Sequence, residues 1–235
     1  HDARFREMAK SVATRVRADY LTTDEYDEET NSYKVLGSEL GSSMNLCANE
    51  RFADQISYGD CSGFLVGEDI FVTAGHCMQG QYSCDSYKWV FGYKKGMDRV
   101  SADKVYKCKS IVSQEMKYSV LSILLFDSSK DYAVIRLDRK VTDAKPLRFR
   151  TKGKIKAKSK VIVIGHPSGL PMKIADDARV KKTFGNLFMT NLDTYGGNSG
   201  SPVFNQETGL VEGILVQGAE DYVDNGYCNQ SNHET

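Results

Sequence analysis

Proline is scarce in this chain, with 4 residues in 235, and no low-complexity linker or internal repeat divides it. Histidine is equally rare at 4, and none of the 6 cysteines stands in a C-x-x-C pair, so the usual pattern of a zinc site is missing. Net charge is missing too: 31 basic residues balance 31 acidic ones, which leaves no global field to steer the protein to nucleic acid or an anionic membrane. No apolar run approaches the roughly 18 residues of a membrane span. No signal peptide is visible, and the chain begins at His1 rather than Met, which leaves open an earlier loss of a leader or a residue left over from cloning. These absences set the expectations: no cofactor, no metal, no nucleic-acid partner and no membrane partner.

What is present is a set of short apolar runs punctuated by 20 Gly. Runs at 61–66, 70–74, 88–92, 119–126, 132–137, 160–164, 187–190, 201–204 and 210–216 are strand-length, rich in Val, Ile, Phe and Tyr, and bounded by turn residues. Many short strands without helical periodicity predict an all-β sandwich or barrel. The length suffices for one large β domain or two small barrels with a real core. At the start, Phe5, Met8, Val12 and Val16 fit a helical stripe while residues 12–18 alternate. A short helical turn before Lys10 and a strand after it satisfy both patterns. The polar segment 138–160, with Pro146, is the natural crossover between two barrels. The basic stretch 148–160 and the acidic run 24–29 read as solvated loops. The even cysteine count points to disulfides and so to an oxidising compartment, outside the cell or periplasmic.

Three segments carry chemistry: Thr73-Ala74-Gly75-His76-Cys77, Asp131-Tyr132-Ala133-Val134-Ile135-Arg136-Leu137, and Gly196-Gly197-Asn198-Ser199-Gly200-Ser201-Pro202. A serine hydroxyl is a weak nucleophile until a base takes its proton. Histidine is that base near neutral pH, provided an acid on its other nitrogen fixes the tautomer. The tetrahedral intermediate needs two convergent N–H donors, and glycine lets the backbone present them without a Cβ clash. Ser199, His76 and Asp131 are therefore the candidate nucleophile, base and orienting acid, with Gly197 and Ser199 as oxyanion donors. Singly, each has a plain alternative: a packed histidine beside a disulfide, a turn aspartate, a glycine-rich loop. Their chain order, His then Asp then Ser, is the chymotrypsin order and not that of α/β-hydrolases or subtilisins.

With CSGFLV leading to TAGHC, then DYAVIRL, then GGNSGSPVFN, the sequence resembles the trypsin-like (chymotrypsin-fold) serine peptidases, and within them the bacterial branch of the V8-type glutamyl endopeptidases. The resemblance implies an all-β fold of two six-stranded antiparallel barrels with the active site in the cleft. His76 and Asp131 would come from the first barrel and Ser199 from the second. One peptidase domain is expected over 1–235, with barrels near 11–140 and 155–230 and an N-terminal extension at 1–10. The implied activity is that of a monomeric, secreted or periplasmic endopeptidase whose partner is its polypeptide substrate. An esterase or amidase, or a non-catalytic binding module, are the competing functions on the same fold.

Departures from the family matter. Pancreatic-type relatives have Asp before the catalytic Ser to receive a freed N-terminal amine; here Asn198 stands there, and that switch is not expected to operate. Seven residues follow Cys228, too few for the C-terminal helix of those relatives, and some sixty precede Cys61, room for a propeptide. His166, in GHPSG, matches a structural loop of V8-type relatives. The resemblance implies a Cys61–Cys77 bridge. The other four cysteines allow three pairings, of which Cys84–Cys108, the nearest pair, is preferred, leaving Cys47–Cys228. In the family it resembles, the residue six positions before the nucleophile lies at the floor of the primary specificity pocket; the resemblance thus implies Asp193 there, with Thr194, Val216, Gln217 and Gly218 as walls. V8-type enzymes read glutamate with a histidine where this chain has Leu215. Cleavage after Lys or Arg is the expectation.

Overall fold

The structure, a computed structural model, describes residues 2–117 and 130–232. A short helix, α1 (Ala3–Met8), opens the chain, capped by the Asp2 side chain, which accepts from the Arg4 N–H. It drops Phe5 edge-on against Phe204, ring centroids 5.7 Å apart. Strand β1 (Val12–Arg17) follows, as the mixed periodicity predicts. Next come β2 (Cys61–Leu65), β3 (Ile70–Thr73), β4 (Tyr87–Phe91), β5 (Val105–Lys117) and β6 (Lys130–Leu137). These six antiparallel strands close a barrel in the order β1-β2-β3-β6-β5-β4, and β1 is the stave that joins β2 to β4. The run at 119–126 lies outside the described residues.

Past the polar 138–159 connection come β7 (Lys160–Gly165), β8 (Lys173–Phe184), β9 (Leu187–Thr190), β10 (Pro202–Asn205) and β11 (Val211–Ile214). They form a curled five-stranded sheet in the order β9-β8-β7-β10-β11. The two-barrel chymotrypsin fold is thus present, with one difference from the expected pair of six-stranded barrels: the second unit is an open sheet. Directly after β11, Leu215 still bonds Gly200 and Ser201. The last two strands, β12 (Tyr222–Asp224) and β13 (Asn229–Ser231), pair with each other outside that sheet, and Asn229 of β13 also bridges Leu46 in parallel.

Period-two alternation builds both cores. In the first barrel Ala13, Leu65, Phe71, Trp89, Phe91, Ala133, Ile135 and Leu137 point inward. In the second sheet Val161, Val163, Ala178, Val180 and Val203 do so. The opposite parity is buried as well: Val12, Phe64, Ile162, Ile164 and Phe204 pack in a third cluster that also holds Phe5 of α1. Strands covered on both faces read as unbroken apolar runs, which is why 160–164 stands out in the sequence. Three disulfides, Cys61–Cys77, Cys84–Cys108 and Cys47–Cys228, are the pairings expected above. The last spans 181 residues of chain and fastens the β12–β13 hairpin to the N-terminal half.

Candidate active site

Asp131 belongs to the inward-facing set of β6, with Ala133, Ile135 and Leu137, so the strand's register buries its carboxylate. A buried charge is tolerable only if it is hydrogen-bonded. The His76 backbone N–H donates to Asp131 Oδ1 at 2.9 Å, and His76 Nδ1 lies 2.7 Å from Oδ2. A carboxylate accepts only, so the proton sits on Nδ1 and Nε2 is left as the basic nitrogen. The Asp131 side chain is 3% exposed and that of His76 31%, so the pair is sealed behind and open in front.

His76 rides on a single helical turn, Gly75–Cys77, directly after β3. Gly75 is required there by close approach: a Cβ would meet the Glu115 carbonyl at 2.5 Å and Asp131 Oδ1 at 2.8 Å. Two side chains that sequence reasoning passed over brace the turn. Gln114 Nε2 donates to the carbonyls of Gly75 and Met78. Arg15 clamps Asp60 with two 2.7 Å bonds and donates to the Cys77 carbonyl. The sulfurs of Cys61 and Cys77 lie within 4.8 Å of a His76 ring nitrogen, but they are bonded to each other and offer no thiolate to a metal.

Ser199 sits in the loop that links β9 to β10. Its carbonyl accepts from the Ser62 N–H at 2.8 Å and lies 3.7 Å from Cys77 Sγ, which brings it beside the His76 turn. Ser62, fully buried on β2, is a hub. Its hydroxyl donates to the Gly197 carbonyl at 2.8 Å and accepts from the His166 N–H at 3.0 Å. The Gly196 carbonyl accepts from the Ser168 N–H, and the Asn198 carbonyl accepts from Ser201 N–H at 2.9 Å. In a trans peptide the N–H points opposite its C=O. Gly197 N–H and Ser199 N–H are therefore turned away from those contacts, and neither donates to backbone among the described residues.

Of the expected pocket residues, Thr194 and Gly218 come together: a Cβ on Gly218 would be 3.7 Å from Thr194 Oγ1. Val216 packs against the Cys61–Cys77 bridge, and Gln217 and Asp193 are exposed. A second carboxylate, unmarked in the sequence, reaches the loop. Asp221 Oδ2 accepts the Gly196 N–H at 2.5 Å. Burial pushes the Asp221 carboxyl up, with the Gly196 N–H partly opposing. Burial also raises the hydroxyl of neighbouring Tyr195, and Asp193, Glu50 and Asp221 add to that through their charge.

His166 is fully buried and stacked on Tyr93, and its Nδ1 bonds the Leu170 carbonyl at 2.9 Å. Its Nε2 is buried without a partner among the described residues. Burial lowers its pKa from 6.5 to about 4, helped by Lys173 and opposed by the Leu170 carbonyl. Below the unfolded value the unfolded chain takes up the proton first. The stability is thus complete above pH 6.5 and drains away between 6.5 and about 4. A shift of this size corresponds to roughly 3 kcal/mol. Urea unfolding at pH 7 and pH 4 should show most of that loss removed in His166→Phe; an unchanged difference would place the acid sensitivity elsewhere.

A closed barrel and a curled sheet, meeting at a buried His–Asp pair and a glycine-framed serine loop, define the chymotrypsin class of two-barrel folds. The profile of the trypsin-like peptidase domain matches residues 61–214, and the chain belongs to that family. Solved structures with the same fold include the active form of the Rv3671c protease of M. tuberculosis, at TM-score 0.55 and 16% identity, covering 93% of this chain and 74% of that one. Neuropsin, a serine protease of mouse brain, matches at TM-score 0.52 and 18% identity, over 70% of this chain and 79% of its own. In sequence, the secreted RxLR effector protein 73 of Plasmopara viticola is 26% identical over 163 residues, or 64% of this chain. The match spans 39% of that protein's length. No helix among the described residues is long and apolar enough to cross a membrane. The three disulfides fit an extracellular or periplasmic protein.

Proposed function

We propose that the chain is a serine endopeptidase of one domain, acting on polypeptides outside the cell or in a periplasm, as a monomer. Ser199 Oγ attacks the scissile carbonyl and His76 Nε2 takes its proton. Asp131 holds the imidazole and stabilises its charged form. The N–H groups of Gly197 and Ser199 receive the oxyanion. The His76 proton then passes to the leaving amine, and water releases the acyl group from Ser199. The observation that carries this reading is the pair of hydrogen bonds from the His76 backbone N–H and ring to Asp131, 2.9 and 2.7 Å, beside a serine loop whose Gly197 and Ser199 N–H groups donate to no backbone group among the described residues. A fluorophosphonate should label Ser199, and a peptide library should be cleaved. Turnover of esters alone would make the protein an esterase, and no labelling at all would make it a binding module.

The primary pocket is assigned to Lys or Arg. Thr194, Val216, Gln217 and Gly218 form its walls, and Asp193, six residues before Ser199, supplies the charge. Three carboxylates, Asp193, Glu50 and Asp221, act on Tyr195 in the same region, and Leu215 occupies the place of the glutamate-reading histidine of V8-type relatives. Asp193 is exposed before substrate arrives, so its pairing with a cation is partly screened, and kcat/KM for Arg or Lys before the scissile bond should exceed that for Glu or Phe by about 10-fold. A preference for Glu or Phe would mean that the pocket is built differently.

Membership of the V8-type bacterial branch is supported by the neutral residue before the nucleophile. Asn198 is 3% exposed, and its Oδ1 accepts from Ser201 Oγ at 3.3 Å, so nothing there attracts an ammonium group. Acetylating the amino terminus should leave kcat/KM unchanged; loss of activity would show that an N-terminal amine is part of the site.

A further inference from the structure

The loop that carries Ser199 is held at several points along its backbone. The neutral anchors are Asn198 N–H to Tyr195 C=O, Ser168 N–H to Gly196 C=O, Ser62 Oγ to Gly197 C=O, Ser201 N–H to Asn198 C=O, Ser62 N–H to Ser199 C=O, and Gly200 N–H to Leu215 C=O. One anchor is charged: Asp221 Oδ2 accepts from Gly196 N–H. It grips the peptide immediately before the one that bears the Gly197 N–H.

We propose that Asp221 is a positioning residue for catalysis, fixing the Tyr195–Gly196 peptide so that the Gly197 N–H stays aimed at the reacting carbonyl oxygen. This rests on the serine-peptidase reading above. Asp221 is itself well held. The Asn232 N–H donates to its carbonyl at 2.9 Å, and Asn232 Nδ2 donates to the Glu220 carbonyl at 2.9 Å. The next residue, Tyr222, packs its ring on Tyr195 at 5.3 Å and places its hydroxyl 3.2 Å from Ser168 Oγ. Asp221 and Tyr222 thus reach both sides of Gly196, its N–H directly and its C=O through Ser168. The hairpin they belong to is fastened by Cys47–Cys228 and by Ser231 Oγ donating to Glu50 at 2.6 Å. A charge-assisted bond to an N–H is about twice as strong as a neutral one. Gly196 fits the approach, since a Cβ there would stand 3.0 Å from Asp221 Oδ2.

The test is Asp221→Asn in the full chain, isosteric but uncharged, with Asp221→Ala beside it and Asp224→Asn as a control on the same hairpin. On an Arg peptide, kcat should fall about 10- to 100-fold, less than the loss of a whole oxyanion donor, with KM within a few-fold. Affinity for a peptide boronate, which needs the oxyanion donors, should fall in parallel, and affinity for a benzamidine, which does not, should hold. Unchanged kcat, or a raised KM with lost benzamidine affinity, would overturn the proposal, the second by making Asp221 a pocket residue. Hydrogen exchange of the Gly196 amide decides the anchor independently of turnover. Protection in the parent that is lost in Asp221→Asn supports it, and equal protection refutes it, even if the parent cleaves nothing and the peptidase reading itself fails.

Discussion

Replacing Ser199 by Ala should lower kcat by about a million-fold, His76→Ala by a similar factor, and Asp131→Asn by about ten-thousand-fold. The ranking follows from the geometry. In the proposed mechanism Ser199 and His76 make and break bonds, whereas Asp131 acts through His76. An amide at 131 would face the Nδ1 side with an N–H and turn the imidazole towards the wrong tautomer. Asp131 also accepts the His76 backbone N–H at 2.9 Å, so Asp131→Asn should disturb the turn as well as the ring. If the three groups act as the proposed unit, Ser199→Ala/His76→Ala should be little worse than either single change. Steady-state kinetics on a purified chain, with active-site titration of the parent, reads all of this. Near-parental turnover in Ser199→Ala would end the nucleophile assignment, and additive losses would mean that the groups work separately.

The motifs could be read because their chemistry demands particular residues in a fixed chain order. The second sheet's core could be read at 160–164 because β7 is apolar on both faces. Two long strands escaped. β8 reads Lys-Ile-Ala-Asp-Asp-Ala-Arg-Val-Lys-Lys-Thr-Phe, and its register against β7 shifts between Val161 and Val163. Asp177, at φ 62, lies opposite that shift, so the alternation changes phase in mid-strand and only Ala178 and Val180 are buried. β5 has two such shifts against β6 within its 13 residues. A bulge costs the eye its period-two pattern while leaving the ladder intact on either side. The open second sheet, Ser62, Gln114, Arg15 and Asp221 were hidden for a different reason. Each matters through a partner far away in the chain, as with Ser62 and Gly197, 135 residues apart. Nothing local marks such a residue.

Gly197→Ala should lower kcat by about 100- to 1,000-fold, the effect of losing one oxyanion donor. Gly197 has φ +84, a conformation that L side chains rarely adopt. A Cβ there would also meet the His166 carbonyl at 2.7 Å, Gly169 N at 2.8 Å and Ser168 N at 2.9 Å, all backbone atoms that cannot swing aside. The loop must yield instead, and because the Gly197 N–H belongs to the same peptide as the Gly196 carbonyl that Ser168 holds, pushing Gly197 away from Ser168 and Gly169 shifts that donor directly. Gly153→Ala separates the two causes. Gly153 has φ +71 with nothing within 4 Å of its Cβ position, so it bears the backbone strain, about 1 kcal/mol, without the collision. It should lose a little stability and no activity. In the Ser199→Ala background, Gly197→Ala should cost much less than alone, because a donor without a developing oxyanion has nothing to stabilise. Equal kcat in Gly197→Ala and the parent would mean that the oxyanion is held by other groups.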